Sequence, residues 1–249
     1  MQSKELELLE RKLSSKLTKA IFDYSLIEDG DTILIGLSGG KDSLALTELL
    51  GKRMRIDKPR FTLKAAHISM TNIPYQPDLK YLESFASEYN IPFIHAETSF
   101  DATTDKRKSP CFLCSWNRRK RLFDLAKTHG CNKIALGHHQ DDMLRTLLMN
   151  LTFQGAFGTM PPKLQMNKFN MTIIRPLSLI TETEMEEWKS LKGYSLLKKQ
   201  CPYECDTYRT QMKEVMGMLE AMNPFVRQSL WNSMTNIQTN YLPNKPTQR

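Results

Sequence analysis

With 249 residues, 40% hydrophobic and 25% charged, the chain can bury the core of an α/β domain with helical additions. Its 35 basic residues outnumber 27 acidic ones for a net charge of +8, which favours an anionic partner without naming it. No apolar run reaches the roughly 18 residues of a membrane helix, and the mixed-charge start has no signal-peptide core, so a membrane role is set aside and a cytoplasmic location is expected.

In chain order, residues 4–26 carry Leu6, Leu9, Leu13, Leu17 and Ile21 at helical spacing and predict an amphipathic helix. Residues 27–31 turn the chain into the apolar run Thr32-Ile33-Leu34-Ile35, a first strand. Next come Gly36-Leu37-Ser38-Gly39-Gly40-Lys41-Asp42-Ser43 and the helical Leu44-Ala45-Leu46. Strands are predicted over 61–68, 93–95 and 133–137, with helices over 78–89, 115–129 and 141–150. A further strand ends at Ile173-Ile174-Arg175-Pro176-Leu177, and Thr181-Glu182-Thr183-Glu184 opens a helix in the capping-box pattern. Residues 211–222 and 224–237 read as helices before a polar tail. The alternation predicts a parallel sheet covered by helices on both faces.

Three motifs follow strand ends or open helices, where ligands of open α/β sheets bind. The loop from Ser38 to Ser43 has the strand, glycine turn and helix start that cradle phosphate. It is not a Walker A loop, because only three residues separate Gly36 from Gly40 and Asp42 stands in place of the hydroxyl. Lys41 can neutralise phosphate charge, Ser38 and Ser43 can donate hydroxyl hydrogen bonds, and Asp42 suits Mg²⁺ better than phosphate.

The second motif is Gly137-His138-His139-Gln140-Asp141-Asp142, whose carboxylates and imidazoles suit a magnesium ion or a nucleotide, or serve as helix caps. The third is Cys111-Phe112-Leu113-Cys114, ahead of Arg118, Arg119, Lys120 and Arg121. A helix start and nearby cations favour thiolate. Two cysteines supply half a tetrahedral site, which Cys201 and Cys205 could complete for zinc or an iron–sulfur cluster, while a redox dithiol is the competing reading.

The basic run can guide a nucleic-acid backbone or form a solvated face. Lys163, after Pro161-Pro162, is a candidate for touching phosphate or an activated intermediate. Cys131 reads as a buried thiol, Trp116 as packing, and His67 and His95 as structural.

Taken together, the Ser38–Ser43 loop, the cysteine pair and the Gly137–Asp142 segment resemble the tRNA 2-thiocytidine synthetases, tRNA-thiolating members of the PP-loop ATP pyrophosphatase superfamily. Met160-Pro161-Pro162-Lys163-Leu164 and Ile174-Arg175-Pro176-Leu177 strengthen the likeness. The resemblance implies a PP-loop, HUP-type three-layer α/β fold with a parallel central sheet and helical extensions. The expected division is an N-terminal helix (1–26), a PP-loop domain with an inserted CxxC segment (27–180), a C-terminal helical region (181–242) and a flexible tail (243–249).

The resemblance also implies ATP, Mg²⁺ and a [4Fe–4S] cluster on Cys111, Cys114 and Cys201. Cys205 is the alternative third ligand, because Cys201-Pro202-Tyr203-Glu204-Cys205 departs from the Cys-x-x-Cys common there. Ser38, Gly39, Gly40, Lys41, Asp42, Ser43, Gly137 and His138 are the expected nucleotide-binding residues. Lys41, Asp42, Asp141 and Lys163 are the expected catalytic ones, with Asp42 and Asp141 toward Mg²⁺.

The implied reaction adenylates the C2 oxygen of a pyrimidine, cytidine 32 of tRNA in this branch, and replaces it with sulfur. A sulfur donor such as a cysteine desulfurase and a homodimer complete the expected partners. The alternatives are a 2-thiouridine synthetase, a small-molecule sulfur-inserting enzyme, and a zinc-stabilised, non-catalytic nucleic-acid-binding protein.

Overall fold

Ile33, Leu34 and Ile35 leave no polar face, and all three are fully buried, Ile33 and Ile35 in one hydrophobic cluster and Leu34 in another. A strand apolar on both sides belongs inside a sheet covered on both faces. In the computed structural model, which describes residues 2–73, 77–101, 109–196 and 208–243, this run forms β1 (Asp31–Gly36). The other strands are β2 (Phe61–Met70), β3 (Phe93–Thr98), β4 (Lys133–Ala135), β5 (Lys163–Met166) and β6 (Met171–Ile174). They form one six-stranded sheet, among the described residues, in the order β3-β2-β1-β4-β6-β5.

Neighbours pair in parallel except β5, which runs antiparallel to β6 and pairs Lys163 with Ile174. The sheet is therefore mixed rather than all-parallel. Sequence alone misses this edge because Lys163-Leu164-Gln165-Met166 has no β-branched or aromatic residue.

The helices are α1 (Gln2–Asp23), α2 (Lys41–Arg53), α3 (Leu79–Ser87), α4 (Pro110–Thr128), α5 (Gln140–Met149), α6 (Glu182–Lys192), α7 (Tyr208–Met222) and α8 (Val226–Ser233). The odd-numbered positions Ile33 and Ile35 of β1 face Leu13 and Leu17 of α1, Leu46 and Leu50 of α2, Phe85 of α3 and Trp188 of α6 in one cluster. Leu34, Ile134 and Ile173 lie in the second cluster with Leu122, Phe123 and Ala126 of α4. The period-2 alternation of strands thus meets helices on both sides of the sheet.

α4 starts at Pro110, five residues before the expected 115. Ser109 caps it by accepting from the Phe112 amide, and Pro110 stands where a helix needs no amide hydrogen.

The chain packs as two compact units, Met1–Asp141 with Pro161–Cys205, and Asp142–Met160 with Asp206–Arg249. The whole sheet belongs to the first. In the second, Leu144 and Leu148 pack with Met212 and Met216 of α7, beside Leu230 and Trp231. A π-helical turn at Asn150–Gln154 stops at Gly155, whose φ is 60°. Cys201 and Cys205 lie outside the described residues, as does most of the expected tail.

One buried carboxylate joins α2 to α6. Glu48 is fully buried, accepts from the Tyr194 hydroxyl at 2.6 Å and pairs with Lys52 at 2.8 Å and Lys192 at 2.7 Å. Tyr194 in turn accepts from the Trp188 indole at 2.8 Å. Burial alone would raise the Glu48 pKa, but the bonds from Lys192, Lys52 and Tyr194 outweigh it and hold the group below the ordinary glutamate value.

Replacing Glu48 with alanine leaves the lysines without their buried anion, and urea unfolding at neutral pH is expected to lose about 3–5 kcal/mol. Because the folded pKa is depressed, that contribution is complete above the unfolded value near 4.3 and fades as pH falls through the lower folded value. A variant as stable as the parent at pH 7 would refute this account.

Candidate active site

The loop after β1 is closed by serine hydroxyls. Ser43 Oγ accepts from the Ser38 amide and from Ser38 Oγ, both at 3.1 Å, and donates to the Gly40 carbonyl at 2.9 Å. Gly39 has φ +81°, a conformation that favours glycine. Gly40 is the N-cap of α2 and has no side chain to cap the first turn. The helix thereby offers its leading amides and positive dipole end to an anion.

Lys41 is at the same helix start, 3.2 Å from Asp42 and 3.5 Å from Glu186 of α6. Burial opposes its charge, but Asp42, Glu186 and Glu182 together hold its pKa above the usual lysine value, so it is a cation throughout the neutral range.

β4 is hydrogen-bonded beside β1, so its own C-terminal turn meets this loop. A methyl group on Gly137 would sit 3.0 Å from the Asp42 carbonyl carbon and 3.1 Å from both its oxygen and the Ser43 nitrogen. These are backbone atoms, which cannot turn aside, so glycine is required by the close approach. His138 is half-buried on this turn and His139 is buried behind it. Asp141, also buried, accepts from the Glu182 amide at 2.7 Å and thus ties the start of α6 to the turn. Loop, turn and α6 converge through Gly137, Asp141 and Glu186.

The end of β2 supplies a contact the sequence did not reveal. His67 is buried, and its Nδ1 donates to the Leu37 carbonyl of the loop at 2.8 Å, which leaves Nε2 as a buried acceptor without a partner. Burial chiefly, then Arg118 and His95, push the His67 pKa down, keeping the ring neutral. Only the order of β1 and β2 in the sheet makes this contact, and Glu186 is equally silent in sequence. Ser69 and His95 bond to each other at 2.9 Å one residue pair further along.

α4 brings the cysteines to the same edge. Cys114 is half-buried and packs with Leu113 against Met70, Ile73 and Phe100, which lie at and just beyond the C-terminal ends of β2 and β3. Cys111 is exposed, one turn earlier on the helix. An i, i+3 pair of thiols shares one helix face and fits two positions of a sulfur-ligated site. The expected third ligand, Cys201, and its alternative, Cys205, are outside the described residues, and among those described no three His, Cys, Asp or Glu groups gather around a metal position.

Lys163 goes elsewhere. Its ammonium donates to the Ser25 carbonyl at 2.6 Å and approaches Glu28 at 3.3 Å. Glu28 lies just before Asp31, where β1 starts, whereas the phosphate loop follows the other end. In this structure Lys163 is therefore not brought to the loop. It lines a polar depression with Glu28, Asp31, Asn132 and Lys133, and the carboxylate of Glu28 accounts for its direction.

Residues 9–213 match the PP-loop domain family. The chain is 34% identical over 245 residues to a tRNA-cytidine(32) 2-sulfurtransferase of Geobacter metallireducens, covering 96% of this chain and 95% of that protein. It is also 34% identical to the protein of that name from Pelobacter propionicus, covering 97% and 91%. Among solved structures it resembles the U34-tRNA thiolase NcsA of Methanococcus maripaludis with its [4Fe–4S] cluster, with a TM-score of 0.75, 24% identity, and 97% of this chain and 82% of that one covered. The last likeness speaks to the fold alone.

Gly137→Ala tests the close approach. The added methyl must displace the Asp42–Ser43 backbone, so the KM for ATP is expected to rise by about tenfold to a hundredfold with unchanged circular dichroism. Unaltered nucleotide affinity, measured by calorimetry, would mean that the turn and the loop are not coupled.

Proposed function

The chain belongs to the tRNA-cytidine(32) 2-sulfurtransferase family of PP-loop proteins, and from that membership we propose that it catalyses ATP-dependent replacement of the C2 oxygen of cytidine 32 in tRNA by sulfur. The observation that carries this reading is the convergence of the uncapped α2 start, the Gly137 turn and the Cys111–Cys114 helix on one edge of one sheet. Phosphate chemistry and sulfur ligation then share a single sheet edge.

In the first step the cytosine O2 attacks the α-phosphorus of ATP, and the bond to the departing pyrophosphate breaks. The amides of Gly39, Gly40 and Lys41 and the Lys41 ammonium stabilise the charge that develops on the phosphate oxygens, while the hydroxyls of Ser38 and Ser43 hold the loop in its closed form and reach phosphate only by turning from those bonds. Gly137 lets the β4 turn lie against this loop, and His138 borders the nucleotide. Mg²⁺ held by Asp42 and Asp141 would neutralise the phosphates further, with one Asp141 oxygen retained by the Glu182 amide. In the second step sulfur bonds to C2, the C2–O bond breaks and AMP leaves. A [4Fe–4S] cluster held by Cys111, Cys114 and Cys201, with Cys205 as the alternative third ligand, would supply that sulfur when bound.

Lys163 has no part in this assignment, since its ammonium is bonded at the far end of β1. The protein is assigned to the cytoplasm, and a cysteine desulfurase is proposed as the sulfur source. A homodimer is the proposed assembly.

Anaerobically reconstituted protein, tRNA transcript, ATP and sulfide should give 2-thiocytidine by nucleoside mass spectrometry, with AMP and pyrophosphate in equal amounts. Cys111→Ser should abolish iron absorbance and thiolation while ATP still binds. Serine at Cys201 is expected to do the same, and serine at Cys205 to retain iron; the reverse result would exchange the two. Iron-loaded protein that makes no thiolated nucleoside would sink the reading, and 2-thiouridine as product would transfer it to the uridine branch.

A further inference from the structure

Arg175 directly follows β6, at the same sheet edge as the phosphate loop. It is only 5% exposed. Its amide donates to the Pro162 carbonyl at 2.8 Å and its Nη1 to the Pro161 carbonyl at 2.5 Å, while its Nε is buried without a hydrogen-bond partner. Among the described residues no carboxylate pairs with it. Burial, and then the nearby Arg119 guanidinium, lower its pKa to about 10. A buried cation held beside a second cation and only neutral carbonyls is costly unless an anion completes it.

Arg119 is exposed on α4, one turn before Phe123, whose ring lies 4.9 Å from that of Phe169 in the β5–β6 turn. This side of α4 therefore overlooks β6. Arg118, the preceding residue, lies on the other side, close enough to His67 of β2 to depress that ring's pKa. The two arginines thus flank β1 and β4, the strands that end in the phosphate loop and the Gly137 turn.

The shared chemistry of such a site is a phosphate oxyanion, from either the nucleotide or an RNA backbone. Guanidinium forks match it in two-pronged fashion. The nucleotide's phosphates have the loop amides and Lys41 on β1. β6 is two strands away across β4, about 10 Å at the usual strand spacing. RNA carries a phosphate at every nucleotide, and a strand whose base enters the loop must lead its backbone past the flanking strands. We propose that Arg119 and Arg175 form a subsite for one phosphodiester of the substrate RNA, holding the backbone while the target base is at the loop. This rests on the tRNA-modifying function proposed above.

The test uses the full chain, anaerobically reconstituted, with a tRNA transcript as probe across a salt series and ATP binding measured separately. Arg119→Gln and Arg175→Gln are each expected to raise the tRNA KM about five- to tenfold and to lower the slope of log affinity against log salt by about one. ATP affinity should stay within about twofold, and lysine at either position should restore the slope. If the two side chains share one phosphate, the double variant loses less than the product of the single effects.

Arg119 is exposed, so its variant tests the subsite even if Arg175→Gln fails to fold. An unchanged salt slope in Arg119→Gln would overturn the proposal. So would weakened ATP binding with an intact tRNA slope, which would mark the anion as the nucleotide's own phosphate. Parent protein that neither binds nor thiolates tRNA would overturn the function and the subsite together. Parent activity with unaltered variants would overturn the subsite alone.

Discussion

The 3.0 Å that would separate a methyl group at Gly137 from the backbone of Asp42 is the constraint on which the site depends. It exists because β4 is hydrogen-bonded to β1 in parallel register, Ile35 opposite Ala135, so both strands release their loops at the same edge and height. Parallel pairing also gathers helix N-termini at that edge, because each strand must be followed by a returning helix. The open start of α2 therefore lies beside the capped start of α6, with Glu186 and Asp141 latching α6 to the loop and the turn. Widening any of these contacts would separate the amides at the start of α2 from the groups that border them.

Buried charge occurs at both ends of the sheet. At the start of β1, Asp31 and Lys133 form a buried pair at 2.7 Å, with Lys133 also donating to the Leu26 carbonyl and Asn132 donating to Asp31. Lys163 joins that end through Glu28, beside a polar depression, while Arg53 lies buried before β2 with the Lys58 carbonyl as its partner. At the loop end, Arg175 keeps a buried charge without an acid among the described residues, and His67 keeps a buried ring nitrogen without a donor. Polar groups left incomplete in a packed protein are expected where a ligand completes them.

Much of this architecture could be read from local pattern. The Ile33-Leu34-Ile35 run, the glycine loop, the capping box at Thr181 and Glu184 and the leucine spacing of α1 each carry their own signal, because strand burial, tight turns, caps and helix faces act within a few residues. The short edge strand β5 carries no such signal, having neither alternation nor β-branched residues. The early start of α4 at Ser109-Pro110 was legible in principle as a cap followed by proline. Lys163 shows the limit of motif reading, for its neighbours in sequence pointed to phosphate while its neighbours in space include the Glu28 carboxylate.

The sequence by itself determined which chemical groups are available: a glycine loop with Lys41 and Asp42, a thiol pair on a helix start, and a His-His-x-Asp-Asp turn after a strand. The tertiary structure decided which of them meet. His67 reaches Leu37, Glu186 reaches Lys41 and Gly137 touches Asp42, across separations of dozens of residues or more. Such meetings depend on strand order and on the face each helix covers. Those are set by burying the two sides of one sheet at once, a cooperative outcome that no local spacing encodes.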